Sequence, residues 1–391
     1  MGAMTVKDDL RHQLDRLRDA IDRIDQQLLR ALNERMELAK EIGRIKADAG
    51  LTLFDPSREE AIYSRLSEGN PGPLSDDGLR SIYREIMAAS RVLQHPMEVA
   101  FLGPEWTYSH LAARSLFGHS AHYVPLPTLD EVFDQMVKGL VHVAIAPIEN
   151  TLEGGLTHTL DLLCECDAQV VRECYLEMAH YLAGRGESLE QVERVYAHPQ
   201  TLGQCRHWLL HHMRHAALQE CSSTAEAARL SQKDPKGAAI CNLFAAHHYG
   251  LIVLASRIED RPGNITRFFA LAQHFNPPTG HDKTSILFAL PDRPGALRDA
   301  LEPFTLHGCN LARIESRPSR ISIWHDLFYA DIEGHRDDPA IRQSLEDLQE
   351  RVAFLKVLGS YPRSDPFRPI RFQMEQVAPV TQKPSVAVAK A

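Results

Sequence analysis

Apolar side chains in the first fifty positions recur at alternating steps of four and three. Leu10, Leu14, Leu17, Ile21, Ile24, Leu28, Ala31, Leu38, Ile42 and Ile45 form one seam, with Arg35 on it where a leucine is expected. That spacing is the heptad signature of a helix packed on other helices. Between these positions stand mostly Asp, Glu, Lys, Arg and Gln; no proline interrupts, and Gly50 offers a stop. Met1 to Met4 read as a frayed end. A helix reaching Ala49 is a rod of roughly 60 Å. Two shorter helices follow, from Asp55-Pro56-Ser57 to about Glu68 and from about Ser75 to Gln94, the second with Leu79, Ile82, Ile86 and Val92 on its apolar side. Asn70-Pro71-Gly72-Pro73 separates them and Pro96 ends the unit. They are too short to cover the rod, so its bare seam predicts a second copy of the chain.

After Pro96 the pattern changes to short apolar runs alternating with helical stretches. The runs are Glu98 to Gly103, Val141 to Pro147, Arg194 to Pro199 and Gly237 to Asn242, with a helix over Ser109 to Phe117 after the first. This predicts an α/β region with a mainly parallel sheet. Its length, about 180 residues, allows two lobes with a cleft. Ligands in such sheets lie beyond the carboxyl ends of strands. Pro147-Ile148-Glu149-Asn150, His198-Pro199-Gln200 and the segment around Thr266 fall there.

From Lys283 the predicted order is strand (Ser285 to Leu290), helix (Ala296 to His307), strand (Leu311 to Arg317), strand (Trp324 to Ile332), helix (Pro339 to Arg351) and strand (Phe354 to Tyr361). This βαββαβ order is the ferredoxin-like split unit. Beyond Pro362 the chain turns polar and proline-rich, then rich in Ala, Val and Lys, and is expected to be mobile.

Arg35 carries the first chemical signal. A cation on an apolar seam costs several kcal/mol unless an anion meets it. Lys46 lies three turns further, nearly on the same face, whereas Arg18 sits roughly 25 Å back and about 100° round the helix. Arg18 suits the pocket of a partner laid alongside, and the three cations suit a small dianion held between helices. The net charge of −9 argues against nucleic acid, and the 391 residues contain no run of apolar residues long enough to span a membrane. Seven scattered cysteines without zinc-pair spacing read as reduced thiols in a cytoplasm, and no metal or cofactor is expected. His211, His212 and His215 read as a solvated helix face.

These residues carry a resemblance to the bifunctional chorismate mutase–prephenate dehydratases, over roughly residues 8 to 362. Leu17-Arg18-Asp19, Glu34 to Ala39, Ile45-Lys46, Asp55 to Glu59, and Ser90 with Gln94 look like the all-helical class of chorismate mutase. Phe101 to His110, Pro147 to Asn150, His198 to Gln204, Ser222 to Ala228 and Asn264-Ile265-Thr266-Arg267-Phe268 resemble prephenate dehydratase, in order. Gly295-Ala296-Leu297 and Glu315 to Pro318 are similar to ACT regulatory domains. Two departures stand out: Trp106 replaces a small residue, and Ala197 stands where some relatives have serine.

The resemblance implies a multidomain chain: an intertwined all-α mutase dimer unit over 5–95, a two-lobed α/β dehydratase like a periplasmic binding protein over 97–277, an α+β ACT domain over 283–362, and a flexible tail over 363–391. It implies that Arg35 and the partner copy's Arg18 grip the carboxylates of chorismate while Lys46 and Gln94 donate to its ether oxygen. Asp55, Arg58, Glu59 and Ser90 would finish that pocket, although Asp55 and Ser90 also suit helix capping. In the second site Thr266 would assist the departing hydroxyl of prephenate and Arg267 would hold a carboxylate. Thr107, Asn150, Gln204, Ser223 and Thr224 would line it, although Asn150 and Ser223 equally suit turns. Gly295, Ala296 and Leu297 at a helix start, with Glu315, Ser316 and Arg317 supplying both charges, would bind phenylalanine as effector between paired ACT domains. A homodimer, or a tetramer, follows. An arogenate-preferring dehydratase and a non-catalytic amino-acid-binding regulator remain as alternatives.

Overall fold

The computed structural model describes residues 2–49, 55–94, 97–152, 154–318 and 326–372, without the side chains of 2–9, 317, 318 and 326. The expected stop at Gly50, the break at Pro96, the strand start at Trp324 and the tail beyond 372 lie outside the described residues. Two compact units emerge. One comprises residues 1–55, 63–97 and 117–121, the other 56–62, 98–116 and 122–391.

The first unit is helical: α1 (Gly2–Asp48), the second half of α2 (Pro56–Glu68) and α3 (Asp76–Gln94). The long helix begins at Gly2, so the expected frayed start at Met1 to Met4 is corrected over Gly2 to Met4. Gly43 lets α1 and α3 touch: a β-carbon there would stand 2.7 Å from that of Gln94. The seam residues Leu10, Leu14, Leu17, Ile21, Ile24, Leu28, Leu38, Ile42 and Ile45 are each at least half exposed.

The second unit continues with β1 (Glu98–Leu102), α4 (Tyr108–Phe117), β2 (His122–Leu126), α5 (Leu129–Val137), β3 (Val143–Asn150), β4 (Gly154–Gly155), α6 (Thr157–Glu165) and β5 (Gln169–Glu177). The chain then crosses to a second lobe: β6 (Tyr181–Gly184), β7 (Arg194–Ala197), α7 (Pro199–Gln204), α8 (Arg206–His212), β8 (Ala217–Glu220), α9 (Thr224–Lys233), β9 (Gly237–Cys241), α10 (Leu243–His248) and β10 (Ile252–Ser256). It returns through β11 (Ile265–Ala272). The first lobe's sheet runs β2-β1-β3-β11-β5 with β4 on β3, and the second runs β10-β6-β9-β7-β8.

The expected mainly parallel sheet is corrected. In the first lobe β1 pairs in parallel with β2 and β3, but the returning β11 runs antiparallel to both β3 and β5. The second lobe is equally mixed, with β7 parallel to β8 and β9 but β6 antiparallel to β9 and β10. A strand returning from another lobe has no helical crossover to set its direction, so local periodicity carries no signal of it.

The last part is β12 (Asp282–Ala289), α11 (Ala296–Leu306), β13 (Leu311–Pro318), β14 (Asp326–Glu333), α12 (Pro339–Gln349) and β15 (Phe354–Pro362), with sheet order β13-β14-β12-β15. Its sheet shares one core with the first lobe: Leu287, Tyr329, Leu358 and Tyr361 pack among Val170, Phe269 and Leu271. Gly359 permits this closeness, since a β-carbon there would stand 2.3 Å from the Val170 carbonyl oxygen. The tail expectation is corrected over 363–372. Ser364 donates its amide and hydroxyl to Glu173, and Ile370 pairs with β5 beside Leu176.

Candidate functional site

A cleft of about 1110 Å³ lies between the two lobes of the second unit. Its apolar wall includes Leu102, Pro147, Leu156, Met178 and Phe268; its polar lining includes Asn150, Gln204, Asn264 and Thr266. Thr266 reaches it because β11 alternates. Thr266 and Phe268 face the cleft, while Phe269 and Leu271 join the core. The pairing of β11 with β3 skips a residue between Arg267 and Phe268, a bulge beside the cleft.

Thr266 stands opposite Asn150 in that pairing, and the Asn150 amide donates to its hydroxyl oxygen at 2.8 Å. The same Nδ2 donates to Asn264 Oδ1 at 2.7 Å, while Oδ1 of Asn150 accepts from the Leu152 amide at 2.9 Å. Asn150 thus shapes the turn with one end and holds Thr266 with the other. Asn264 Nδ2 donates to Gln204 Oε1 at 3.3 Å, and His180 Nε2 lies 2.7 Å from that oxygen. The Gln204 oxygen can only accept, so Nε2 is the donor, and burial lowers the pKa of His180. The Thr266 hydroxyl accepts within this chain, which leaves its proton for an acceptor in the cleft.

Ser223 caps α9, its hydroxyl accepting from the Glu226 amide at 3.0 Å, and Thr224 is the first helical residue; both line the cleft. A helix start facing a cavity favours anions. Thr107 lines the cleft but donates to the Leu102 carbonyl at 3.1 Å, which fixes the loop after β1. His180 and Asn264 belong to the site and were not singled out from sequence. Asn264 was signalled by its motif, whereas His180 carries no local pattern.

Arg267 corrects an expectation. It points away from the cleft and is 2% exposed, held by Glu173 and Asp331. Strand alternation puts neighbours on opposite faces, so Thr266 and Arg267 cannot both meet one ligand. Trp106 is also absent from the cleft lining. It adopts φ 67°, stacks on His248 at 4.6 Å and carries Arg114 over its ring at 4.9 Å. Ala197 is buried in the second lobe's core.

In the first unit the Arg35 guanidinium donates to the Ser90 hydroxyl, which in turn donates to the Ile86 carbonyl at 2.8 Å. Arg35 and Lys46 are half-buried. Gln94 lines a groove of about 890 Å³ with Leu38, Gly43 and Arg44. Arg18 is exposed and 3.3 Å from Asp15, away from Arg35 of its own chain as its spacing requires. Asp55 is half-buried in this unit. Arg58 and Glu59 fall in the other compact unit: Arg58 is exposed, and Glu59 is buried and paired with Arg172 at 2.9 Å, which engages the carboxylate expected in the mutase pocket.

Gly295 adopts φ 82° and precedes α11, whose first residues are buried Ala296 and partly exposed Leu297. Glu315 accepts from the Arg313 guanidinium and from the Gly155 amide at 3.2 Å. Ser316 is exposed on β13, an edge strand, and the Arg317 side chain lies outside the described residues.

Three family models match in series: chorismate mutase type II over residues 17–95, prephenate dehydratase over 99–276 and the ACT domain over 284–350. The bifunctional chorismate mutase/prephenate dehydratase of Aquifex aeolicus is 42% identical over 356 residues, covering 90% of this chain and 98% of that one. That of Stutzerimonas stutzeri is 40% identical over 358 residues, with 90% and 98% covered. A prephenate dehydratase from Arthrobacter aurescens, solved in complex with L-Phe, superposes with a TM-score of 0.63 at 34% identity, covering 71% of this chain and 93% of that one.

Proposed function

This chain belongs to the bifunctional chorismate mutase/prephenate dehydratase family, and we propose how its residues divide the two reactions and their control. It rearranges chorismate to prephenate and converts prephenate to phenylpyruvate in phenylalanine biosynthesis, with phenylalanine as feedback effector. Residues 5–95 form the mutase, 97–277 the dehydratase and 283–362 the regulatory domain.

The observation that carries the dehydratase assignment is the Thr266 hydroxyl, oriented as a donor into the cleft by Asn150. Prephenate loses carbon dioxide and its ring hydroxyl; taking up one proton makes that hydroxyl water, and the ring becomes aromatic. Thr266 donates a hydrogen bond to the departing oxygen, which lowers the barrier to C–O cleavage. A threonine hydroxyl is too weak an acid to ionise here, so any proton it passes on is replaced from water. The start of α9 and the Gln204 segment hold the carboxylate of the pyruvyl side chain. Apolar surface surrounds the carboxylate that leaves, which favours the neutral product carbon dioxide.

The mutase reaction needs neither nucleophile nor proton transfer; the protein folds a flexible dianion and stabilises charge on the breaking ether oxygen. Arg35, steadied by Ser90, takes one carboxylate through its guanidinium fork. Lys46 and Gln94 donate to the ether oxygen, and Arg18 arrives from a second copy across the bare seam of α1. The exposed seam supports a homodimer, and the free edge at β13 gives a second self-association surface, through which dimers pair into tetramers. Phenylalanine binds where Gly295 to Leu297 of one copy meet Glu315 to Arg317 of another. The seven unbridged cysteines suit a reducing cytoplasm.

Incubating the pure chain with chorismate and following phenylpyruvate by its ultraviolet absorbance, with and without phenylalanine, tests this reading. Phenylpyruvate appears and phenylalanine suppresses it; chorismate left unchanged would refute the mutase activity, and prephenate supplied directly and left unchanged would refute the dehydratase.

A further inference from the structure

Thr266 and Asn150 are cross-strand partners on the cleft face. The next pair along the same two strands, Arg267 and Glu149, are also cross-strand partners. Both reach into the regulatory sheet. Arg267 Nη1 donates to Asp331 Oδ2 at 2.6 Å and to the Tyr329 hydroxyl at 3.3 Å, both on β14. Its Nη2 donates to the Tyr361 hydroxyl of β15 at 3.0 Å, and its Nε to Glu173 at 2.8 Å. Lys283 of β12 meets Glu173 at 2.9 Å from the same side. Glu149 accepts from Arg313 of β13, whose guanidinium also binds Glu315.

Charge-assisted bonds this deep are strongly directional. A buried guanidinium stripped of a partner is costly, so a change at one contact favours an exchange of partners over stretched bonds. Arg313 is the link on the effector side. A ligand ammonium drawn to Glu315 competes with the Arg313 guanidinium, which bridges the Glu315 and Glu149 carboxylates.

We propose that the Arg267–Glu149 pair positions Thr266 and Asn150 according to the state of the regulatory sheet, and so is the route by which an amino acid bound near Glu315 slows dehydration. This rests on the feedback reading given above. Arg267 is a positioning residue in this scheme: it touches no substrate and acts through the strand that carries Thr266.

Two variants test it in the full-length protein. Glu149→Gln weakens the Arg313 contact at a partly exposed side chain, and Tyr361→Phe removes a single hydroxyl from Arg267. Phenylalanine binding is read by calorimetry, and dehydratase turnover is read with and without saturating phenylalanine. Binding stays within about threefold, while the ratio of uninhibited to inhibited turnover falls by about tenfold, a loss within the usual range of allosteric coupling. A merely structural role would lower both turnovers together and leave the ratio unmoved. If phenylalanine still binds and both variants keep the wild-type ratio, the proposal is overturned. If phenylalanine neither binds nor inhibits the wild-type chain, the feedback reading itself fails, and that result is seen before any variant is made.

Discussion

The amide of Asn150 and the hydroxyl of Thr266 face each other across two antiparallel strands, 2.8 Å apart, with the amide as donor. That direction of donation decides what the hydroxyl can do next. Thr266→Ala removes the donor and is expected to lower dehydratase kcat by about 10²–10⁴-fold with substrate binding retained. Asn150→Asp replaces the donor with an acceptor, so the threonine proton turns back toward the protein and kcat falls as well. Steady-state kinetics with prephenate checks both, and wild-type turnover in Thr266→Ala would remove that residue from the mechanism.

Arg35→Ala is expected to abolish mutase activity and leave prephenate turnover intact. Arg35 bonds Ser90 within the helical unit and is not part of the cleft lining. Separate assays with chorismate and with prephenate give the answer; equal loss of both would contradict separate sites.

The bare seam leads to a complementation experiment. Arg18→Ala and Arg35→Ala homodimers should each lack mutase activity if, as proposed, each pocket takes one residue from each copy. Mixed and allowed to exchange, they form hybrids in which one of two pockets is whole, so about a quarter of the wild-type activity returns. Ile24→Glu puts a charge in the middle of the seam and should shift the chain toward smaller species in sedimentation. No recovery on mixing, with exchange demonstrated, would place Arg18 outside the pocket.

Gly359→Ala should destabilise the second unit by about 1–3 kcal/mol, read from thermal unfolding. The new methyl would meet the backbone of β5 at 2.3 Å, and the glycine holds φ 150°. Backbone cannot move aside as a flexible side chain would. An unchanged midpoint would show that β15 and β5 are not packed so closely.

Acid sensitivity follows from His110, which accepts from the Trp106 amide at 2.9 Å and stacks on Phe101 at 4.6 Å. Burial, with Arg114 nearby, pushes its pKa down from 6.5 to about 4. The unfolded chain therefore binds the proton first, so this contribution is complete above pH 6.5 and is lost as pH falls towards 4. Burial depresses His180 and His248 in the same sense. Asp234, held at about 2 by Arg194, acts only at lower pH. His110→Gln should flatten the decline in melting temperature between pH 6.5 and 4; an identical decline would assign it to other groups.

The sequence by itself determined what is periodic or local. The heptad seam marked α1, and the βαββαβ order marked the last sheet. The ordered motifs marked Thr266, Asn150 and Gln204, all of which reach one cleft. Capping by Ser223 was also legible, since a helix start is a matter of neighbouring residues. Tertiary structure decided what depends on which strands become neighbours. It sent Arg267 to the back of the strand that carries Thr266, ran β11 antiparallel, gave Glu59 to Arg172, and laid residues 363–372 along β5. Pairing across sixty or more residues is settled by burial and charge satisfaction in the folded chain, and no short window of sequence holds that information.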